Sequence, residues 1–152
     1  MIKKLNLKDS TVAKQVLELQ LISYKVEAEL IGFNDIPPLK DTVDSLKECD
    51  ETFYGYYVED VLAGIISYNI IKFVLDIHRV AIHPNFFRMG IAGKLINFIE
   101  DLEGNIDKYV VCTGAKNLPA VNLYLKRGYK KVTDKQIGEK IYLTEFEKNS
   151  LP

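Results

Sequence analysis

The run from Phe73 to Leu102 constrains this chain more than any other. An apolar, strand-like segment (Phe73 to Ile82) leads into a turn of small residues, and Ile91, Leu95, Phe98 and Leu102 then recur at helical spacing. The turn reads Arg88-Met89-Gly90-Ile91-Ala92-Gly93, with little bulk at Gly90, Ala92 and Gly93. The first N–H groups of a helix have no partner within it, and the helix dipole places partial positive charge there. Glycines at 90 and 93 let a phosphate approach that backbone closely. The same residues also fit an ordinary strand-to-helix connection. A nucleotide P-loop is excluded because Gly-x-x-x-x-Gly-Lys-Ser/Thr is absent, and Gly-x-Gly-x-x-Gly cannot be read here either.

The flanking elements follow from periodicity and punctuation. Ile2 to Leu7 alternates as a short strand. Asp9 or Ser10 then caps a helix whose stripe is Val12, Val16, Leu19, Ile22, Val26 and Leu30, ending at Gly32 and Asn34. After Pro37-Pro38, a second helix is predicted from Leu39 to Cys49. Phe53–Val58 and Val61–Ile71 form a hairpin around Glu59-Asp60. In the next strand, alternation puts Asp76, His78, Val80 and Ile82 on one face and Leu75, Ile77, Arg79 and Ala81 on the other. The helix after Gly90 ends near Glu103-Gly104, and Asp107 to Thr113 is a further strand. A helix capped by Asn117, with Pro119 in its first turn, stops at Arg127-Gly128. Tyr129–Thr133 and Lys140–Phe146 are the last strands. This order predicts one domain spanning 1–152, α/β in class, with a mixed sheet and helices on both faces.

Composition excludes several classes. A hydrophobic share of 47%, a charged share of 27% and a net charge of -1 describe an ordinary globular protein and give no reason to expect nucleic acid. No apolar run reaches the length of a membrane span, and Met-Ile-Lys-Lys-Leu-Asn-Leu-Lys-Asp has no signal-peptide core, so a cytoplasmic location is expected. Cys49 and Cys112 make neither a disulfide framework nor a metal site. Between Val26 and Thr52, eight acids (Glu27, Glu29, Asp35, Asp41, Asp44, Glu48, Asp50, Glu51) stand against Lys40 and Lys47. They read either as solvated faces or as an acidic mouth for a cationic substrate.

Two motifs carry a family resemblance. Phe87-Arg88-Met89-Gly90-Ile91-Ala92 resembles the pyrophosphate-binding pattern Gln/Arg-x-x-Gly-x-Gly/Ala of the GNAT superfamily of N-acetyltransferases, with Phe87 at the usual Gln/Arg position and the arginine one place later. The segment from Asn117 to Tyr129 meets each position of that family's Asn-x-x-Ala-x-x-Leu/Phe-Tyr-x-x-x-Gly-Phe/Tyr, through Asn117, Ala120, Leu123, Tyr124, Gly128 and Tyr129. The resemblance implies a GNAT-like acyl-CoA N-acyltransferase fold. Its sheet is mixed, mostly antiparallel and twisted, with a splayed V between the fourth and fifth strands. It also implies that backbone groups of Val80 and Ile82 meet the pantetheine arm of acetyl-CoA. The N–H groups of Arg88, Met89, Gly90, Ile91, Ala92 and Gly93 would meet the pyrophosphate, and Asn117 the pantetheine or its loop. Lys126, Arg127, Lys130 and Lys131 are the basic cluster near a 3′-phosphate, although strand lysines also serve solubility.

The expected chemistry moves an acetyl group to a primary amine of a small-molecule or protein acceptor, by direct attack in a ternary complex. An ordinary amine is almost fully protonated at neutral pH, so a base is needed. The resemblance favours Asp76, with His78 as second candidate; the N–H near Val80 polarises the carbonyl and Tyr124 gives the sulfur its proton. Cys112 reads as packing. Tyr24, Glu27, Phe33 and Asp35 are candidate acceptor-lining residues. The alternative function is a non-catalytic acyl-CoA-binding or sensing module. A kinase-like phosphate binder is disfavoured by the missing Gly-Lys-Ser/Thr. No metal, nucleic-acid or membrane partner is expected. Homodimers are frequent in the family, which leaves oligomeric state open.

Overall fold

The computed structural model describes residues 1–150. Seven strands form one sheet in the order β1-β2-β3-β4-β5-β7-β6. Strands β1 (Ile2–Leu5), β2 (Thr52–Val58), β3 (Val61–Ile71) and β4 (Val74–Ile82) run antiparallel in sequence. Strand β5 (Lys108–Gly114) joins β4 in parallel and then pairs antiparallel with β7 (Ile141–Asn149), which carries the edge strand β6 (Lys130–Gly138). The β2–β3 turn falls at Glu59-Asp60 as expected, with φ of 48° and 64°, the backbone twist that joins antiparallel strands directly. The last strand pair is longer than predicted, and almost all of β6 is solvent-exposed.

Helix α1 (Ser10–Ile31) is capped by Asp9, whose Oδ1 accepts the Thr11 N–H at 2.9 Å, and ends at Gly32 with φ of 69°. Its buried face is Ala13, Val16, Leu19, Gln20, Tyr24, Ala28 and Ile31. The predicted stripe holds at Val16 and Leu19, but Ile22 and Leu30 are 45% and 48% exposed. Gln20 and Tyr24 turn inward because their polar ends find partners: Gln20 Nε2 donates to the Pro38 carbonyl at 2.8 Å, and Tyr24 Oη accepts the Val80 N–H at 3.2 Å. The single helix expected from Leu39 to Cys49 is instead a 3₁₀ turn (Pro37–Lys40) followed by α2 (Val43–Glu48). Thr42 and Ser45 cap each other's backbone N–H there, which starts a new helix rather than continuing the turn.

Two apolar clusters face opposite sides of the sheet. One packs α1 and α2 against Phe53, Ile65 and Ala81. The other packs α3 (Ile91–Leu102) and α4 (Leu118–Lys126) against Ile66, Leu75, Ile77 and Phe146. Leu95, Ile96 and Ile99 of α3 are fully buried, each worth about 1.5–3 kcal/mol of transfer free energy.

Strand β4 corrects the sequence reading. Ser67 pairs with Arg79 and Tyr68 with Ile77, so His78 is an extra residue, a β-bulge. The bulge reverses the alternation expected on β4. Leu75, Ile77, Val80 and Ile82 all contact the α3–α4 cluster, while Ala81 joins the opposite cluster and Arg79 reaches Gln20 on α1. Asp76 therefore does not share a face with Val80 and Ile82. Beyond the bulge β4 also leaves β5: the parallel pairing spans only Val74–Ile77 with Lys108–Val111, while β5 stays on β7 as far as Gly114. The expected splayed V lies between them.

Candidate functional site

A cavity of about 930 Å³ fills the opening between β4 and β5, walled by α1, the turn before α3 and the start of α4. At one end α3 begins. Its N-cap is Gly90, with φ of 72°, and Arg88 two residues earlier is also left-handed at 67°. Asp9, Thr42 and Asn117 cap the other three α-helices with their side chains, whereas among the described residues no side chain caps α3. Arg88, Gly90, Ile91, Ala92 and Gly93 line the cavity. Met89 of the same run does not; its side chain is 48% exposed.

Arg127 completes this end. A Cβ on Gly93 would lie 1.6 Å from Arg127 Nη2, so the missing side chain lets the guanidinium rest on the first turn of α3. Arg127 Nη1 donates to Asn97 Oδ1 at 2.9 Å, while its Nε is buried with no partner among the described residues. A buried N–H of that kind costs free energy until an acceptor reaches it. Phe87, at the position where Gln or Arg is usual, lines the cavity and is 46% exposed. Arg127 places a cation in the same lining. In the sequence Arg127 sat in a run of basic residues, of which Lys126, Lys130 and Lys131 are exposed, and nothing local singled it out.

In the middle of the opening, the N–H groups of Val80 and Ile82 point away from β3 and toward α1. Tyr24 Oη accepts the first at 3.2 Å and Ser23 Oγ the second at 3.1 Å. Two hydroxyls thus satisfy the amides that an added strand would use. Asn117 caps α4 through the Ala120 N–H at 3.3 Å, and its Nδ2 donates to Glu27 Oε1 at 2.8 Å. Thr113 Oγ1 donates to the same oxygen at 3.3 Å. Burial pushes the Glu27 carboxyl above its ordinary range, and these two hydrogen bonds oppose the shift in part. Tyr124 is 3% exposed, with Tyr129 and Phe146 packed on its ring, and its hydroxyl makes no hydrogen bond among the described residues. Burial raises its pKa and the Glu27 charge adds to this, so the hydroxyl keeps its proton.

The other end is acidic. Arg79 lies 3.0 Å from Asp41 and 3.2 Å from Glu51, and it donates to Gln20 Oε1 at 3.0 Å. His78, the bulge residue, lines the cavity, with Glu51 3.4 Å from Nδ1 and Asp76 3.4 Å from Nε2. Asp76 itself is outside the lining. Burial raises its pKa and the neighbouring His78 pulls it back. The Cys112 thiol lines the cavity and is held protonated by burial and by the charges of Glu145 and Asp76. Among the described residues no cluster of His, Cys, Asp or Glu has metal-binding geometry, and no helix is long and apolar enough to cross a membrane.

A strand pair that parts beside an uncapped helix start defines the acyltransferase architecture, and sequence comparison agrees. Residues 14–129 match the acetyltransferase (GNAT) family, and the chain belongs to it. The UPF0157 protein YqkA of Bacillus subtilis (strain 168) is 36% identical over 146 residues; the match takes in 96% of this chain but spans only 43% of YqkA. The crystal structure of smu.2055 from Streptococcus mutans UA159 superposes with a TM-score of 0.81 at 18% identity, over 98% of both chains. The PaiA N-acetyltransferase of Thermoplasma acidophilum, solved in complex with coenzyme A, gives 0.75 at 18% identity over 95% and 96% of the two chains. The ribosomal-protein-S18-alanine N-acetyltransferase of Escherichia coli gives 0.76 at 11% identity, over 97% and 91%. At these identities the three structures share the fold.

Proposed function

We propose that the chain transfers an acetyl group from acetyl-CoA to a primary amine, both being held at once in the opening between β4 and β5. One observation carries this reading: the cavity is electrically polar along its length. Arg88, Arg127 and the uncapped start of α3 stand at one end, while Glu27, Asp41 and Glu51 outnumber Arg79 toward the other. The first end suits a diphosphate and the second an ammonium. Gly93 and the unpartnered Arg127 Nε fit a phosphate-bearing ligand at the first end.

Acetyl-CoA, when bound, supplies an acyl group already activated as a thioester. The chain's own residues do the rest. The backbone N–H groups of Arg88 to Gly93, together with Arg127, hold the anionic end. The amides of Val80 and Ile82 receive the extended arm once the hydroxyls of Tyr24 and Ser23 give way, a strand-like addition to a free edge. The Val80 N–H is a fixed dipole able to polarise a carbonyl. Tyr124, protonated and free of protein partners, donates to the departing sulfur. Asp76 lies outside the cavity lining and reaches it only through His78. The test is a panel of amines with acetyl-CoA, following free thiol. Turnover of at least one amine is expected; tight CoA binding with no turnover would leave a non-catalytic acyl-CoA module instead.

A further inference from the structure

Glu27 stands where two cavities meet. A second cavity of about 330 Å³ adjoins the first, and the two share Glu27, Pro37, Cys112, Thr113 and Leu143 as lining. The rest of the smaller wall is mainly apolar, from Ile31, Phe33, Ile36 and Ile137. Its other carboxylate, Asp35, is paired with Lys40. We infer that the acceptor is a primary amine on a compact, uncharged, apolar body: the body lies in the smaller cavity, and the Glu27 carboxylate receives the ammonium and takes its proton. This rests on the acetyl-transfer reading above and deepens it.

Three features of the geometry point to Glu27. Both of its hydrogen bonds, from Asn117 and Thr113, fall on Oε1, so the carboxylate is oriented while Oε2 is left for an incoming N–H. Those donors are neutral, and no basic side chain pairs with Glu27 among the described residues. Asp41 and Glu51, in contrast, share Arg79. Finally, Glu27 sits one helical turn from Tyr24, which marks the Val80 N–H, and its charge is felt at Tyr124. The His78–Asp76 pair is less well placed, because both ring nitrogens already face carboxylates. The titratable groups lining the two cavities with Glu27 are Tyr24 on α1, Asp35 and Asp41 on the segment between α1 and α2, Glu51 before β2, His78 and Arg79 on β4, Cys112 on β5 and Tyr124 on α4, with Arg88 and Arg127 at the α3 end. Arg79 is shared by Asp41 and Glu51, and Arg88 and Arg127 stand at the α3 end, so a bound ammonium would be the counter-ion Glu27 lacks.

The step balances simply. The amine nitrogen bonds to the acyl carbon as the carbon–sulfur bond breaks. Of the two protons the ammonium loses, one goes to Glu27 and on to solvent, and the other restores Tyr124 after its hydroxyl has given the sulfur a proton. The products are the amide, the free thiol and one proton.

The experiment measures amine binding to the CoA-loaded protein by calorimetry, using 2-phenylethylamine and 3-methylbutylamine against spermidine and lysine, alongside turnover of the same amines. The apolar amines are expected to bind and react in preference by about tenfold or more, a step of 1.4 kcal/mol. Glu27→Gln should keep CoA affinity, weaken amine binding, lower kcat by about 10² and remove the acidic limb of the pH–rate profile, with Glu27→Asp restoring part of both. Ile137→Glu, which leaves Glu27 intact, should reverse the preference toward spermidine. A wild-type preference for spermidine or lysine overturns the assignment, as does a Glu27→Gln variant with unchanged kcat and pH profile. Both results leave acetyl transfer standing. A wild-type protein that binds CoA and acetylates no amine overturns the underlying reading as well.

Discussion

Glu27 on α1 accepts a 2.8 Å hydrogen bond from Asn117 at the start of α4, joining helices on opposite faces of the sheet through the gap between β4 and β5. The buried carboxyl holds its proton more tightly in the folded chain than in the unfolded one. Its contribution to stability is therefore whole below the ordinary carboxylate range and is lost as pH rises through its raised value. Glu27→Gln should match the wild type in denaturant titrations at pH 4 and exceed it at pH 8.

Asn117→Asp tests the same contact from the other side. Aspartate caps a helix as well as asparagine does, so α4 should survive. A second carboxyl against Glu27 forces one of the pair to stay protonated. The variant should be near wild-type at low pH and lose about 2 kcal/mol by pH 8, whereas Asn117→Ala should lose about 1 kcal/mol at both.

Gly93 and Gly90 should separate binding from folding. An alanine at 93 meets only the movable end of Arg127, so melting temperature should hold while CoA affinity falls about tenfold by calorimetry. At Gly90 the space is open, but φ is 72°, and alanine there should cost about 1 kcal/mol of stability.

Tyr24→Phe removes the acceptor on the Val80 N–H. Without ligand the variant should be less stable by about 1 kcal/mol, the usual net value of one hydrogen bond. A ligand that takes that amide has no hydroxyl to displace, so CoA should bind about fivefold tighter to the variant. Equal affinities for the two proteins would mean that the Val80 amide is not used.

Tyr124→Phe should lower kcat ten- to a hundredfold and leave CoA affinity unchanged, since the ring packing against Tyr129 and Phe146 survives. Arg79→Met should destabilise the protein by about 3–5 kcal/mol, because Asp41 and Glu51 are left as uncompensated, largely buried charges. Urea titration measures this second effect.

Much of this was legible in the sequence, because the relevant signals are local. Asn117 as a cap, Asp9 as one of two candidate caps, Glu59-Asp60 as a turn and Gly90 at the head of α3 each act within a few residues. What stayed hidden depends on distant contacts. Gln20 looks like a surface residue until the Pro38 carbonyl is brought to it, and Tyr24, a candidate lining residue, gave no sign that it would meet the Val80 amide. Glu27 was named with Tyr24, Phe33 and Asp35 as a candidate lining residue, but its partner Asn117 lies ninety residues on and was not legible. Arg127 was one base in a cluster until Gly93 made room for it. The face of Asp76 was misread because strict alternation was carried through His78.

That single unpaired residue has an evolutionary corollary. The Val80 and Ile82 amides past His78 belong to the main chain, so on the acetyl-transfer reading the socket for the donor does not depend on which side chains surround it. Mutation can recolour the neighbouring walls from α1 and the β6–β7 hairpin, and so exchange one acceptor for another, while the donor's seat is inherited intact. Deleting residue 78 should do the opposite, removing the bulge and turning the Val80 and Ile82 amides aside without touching Arg88 or Arg127.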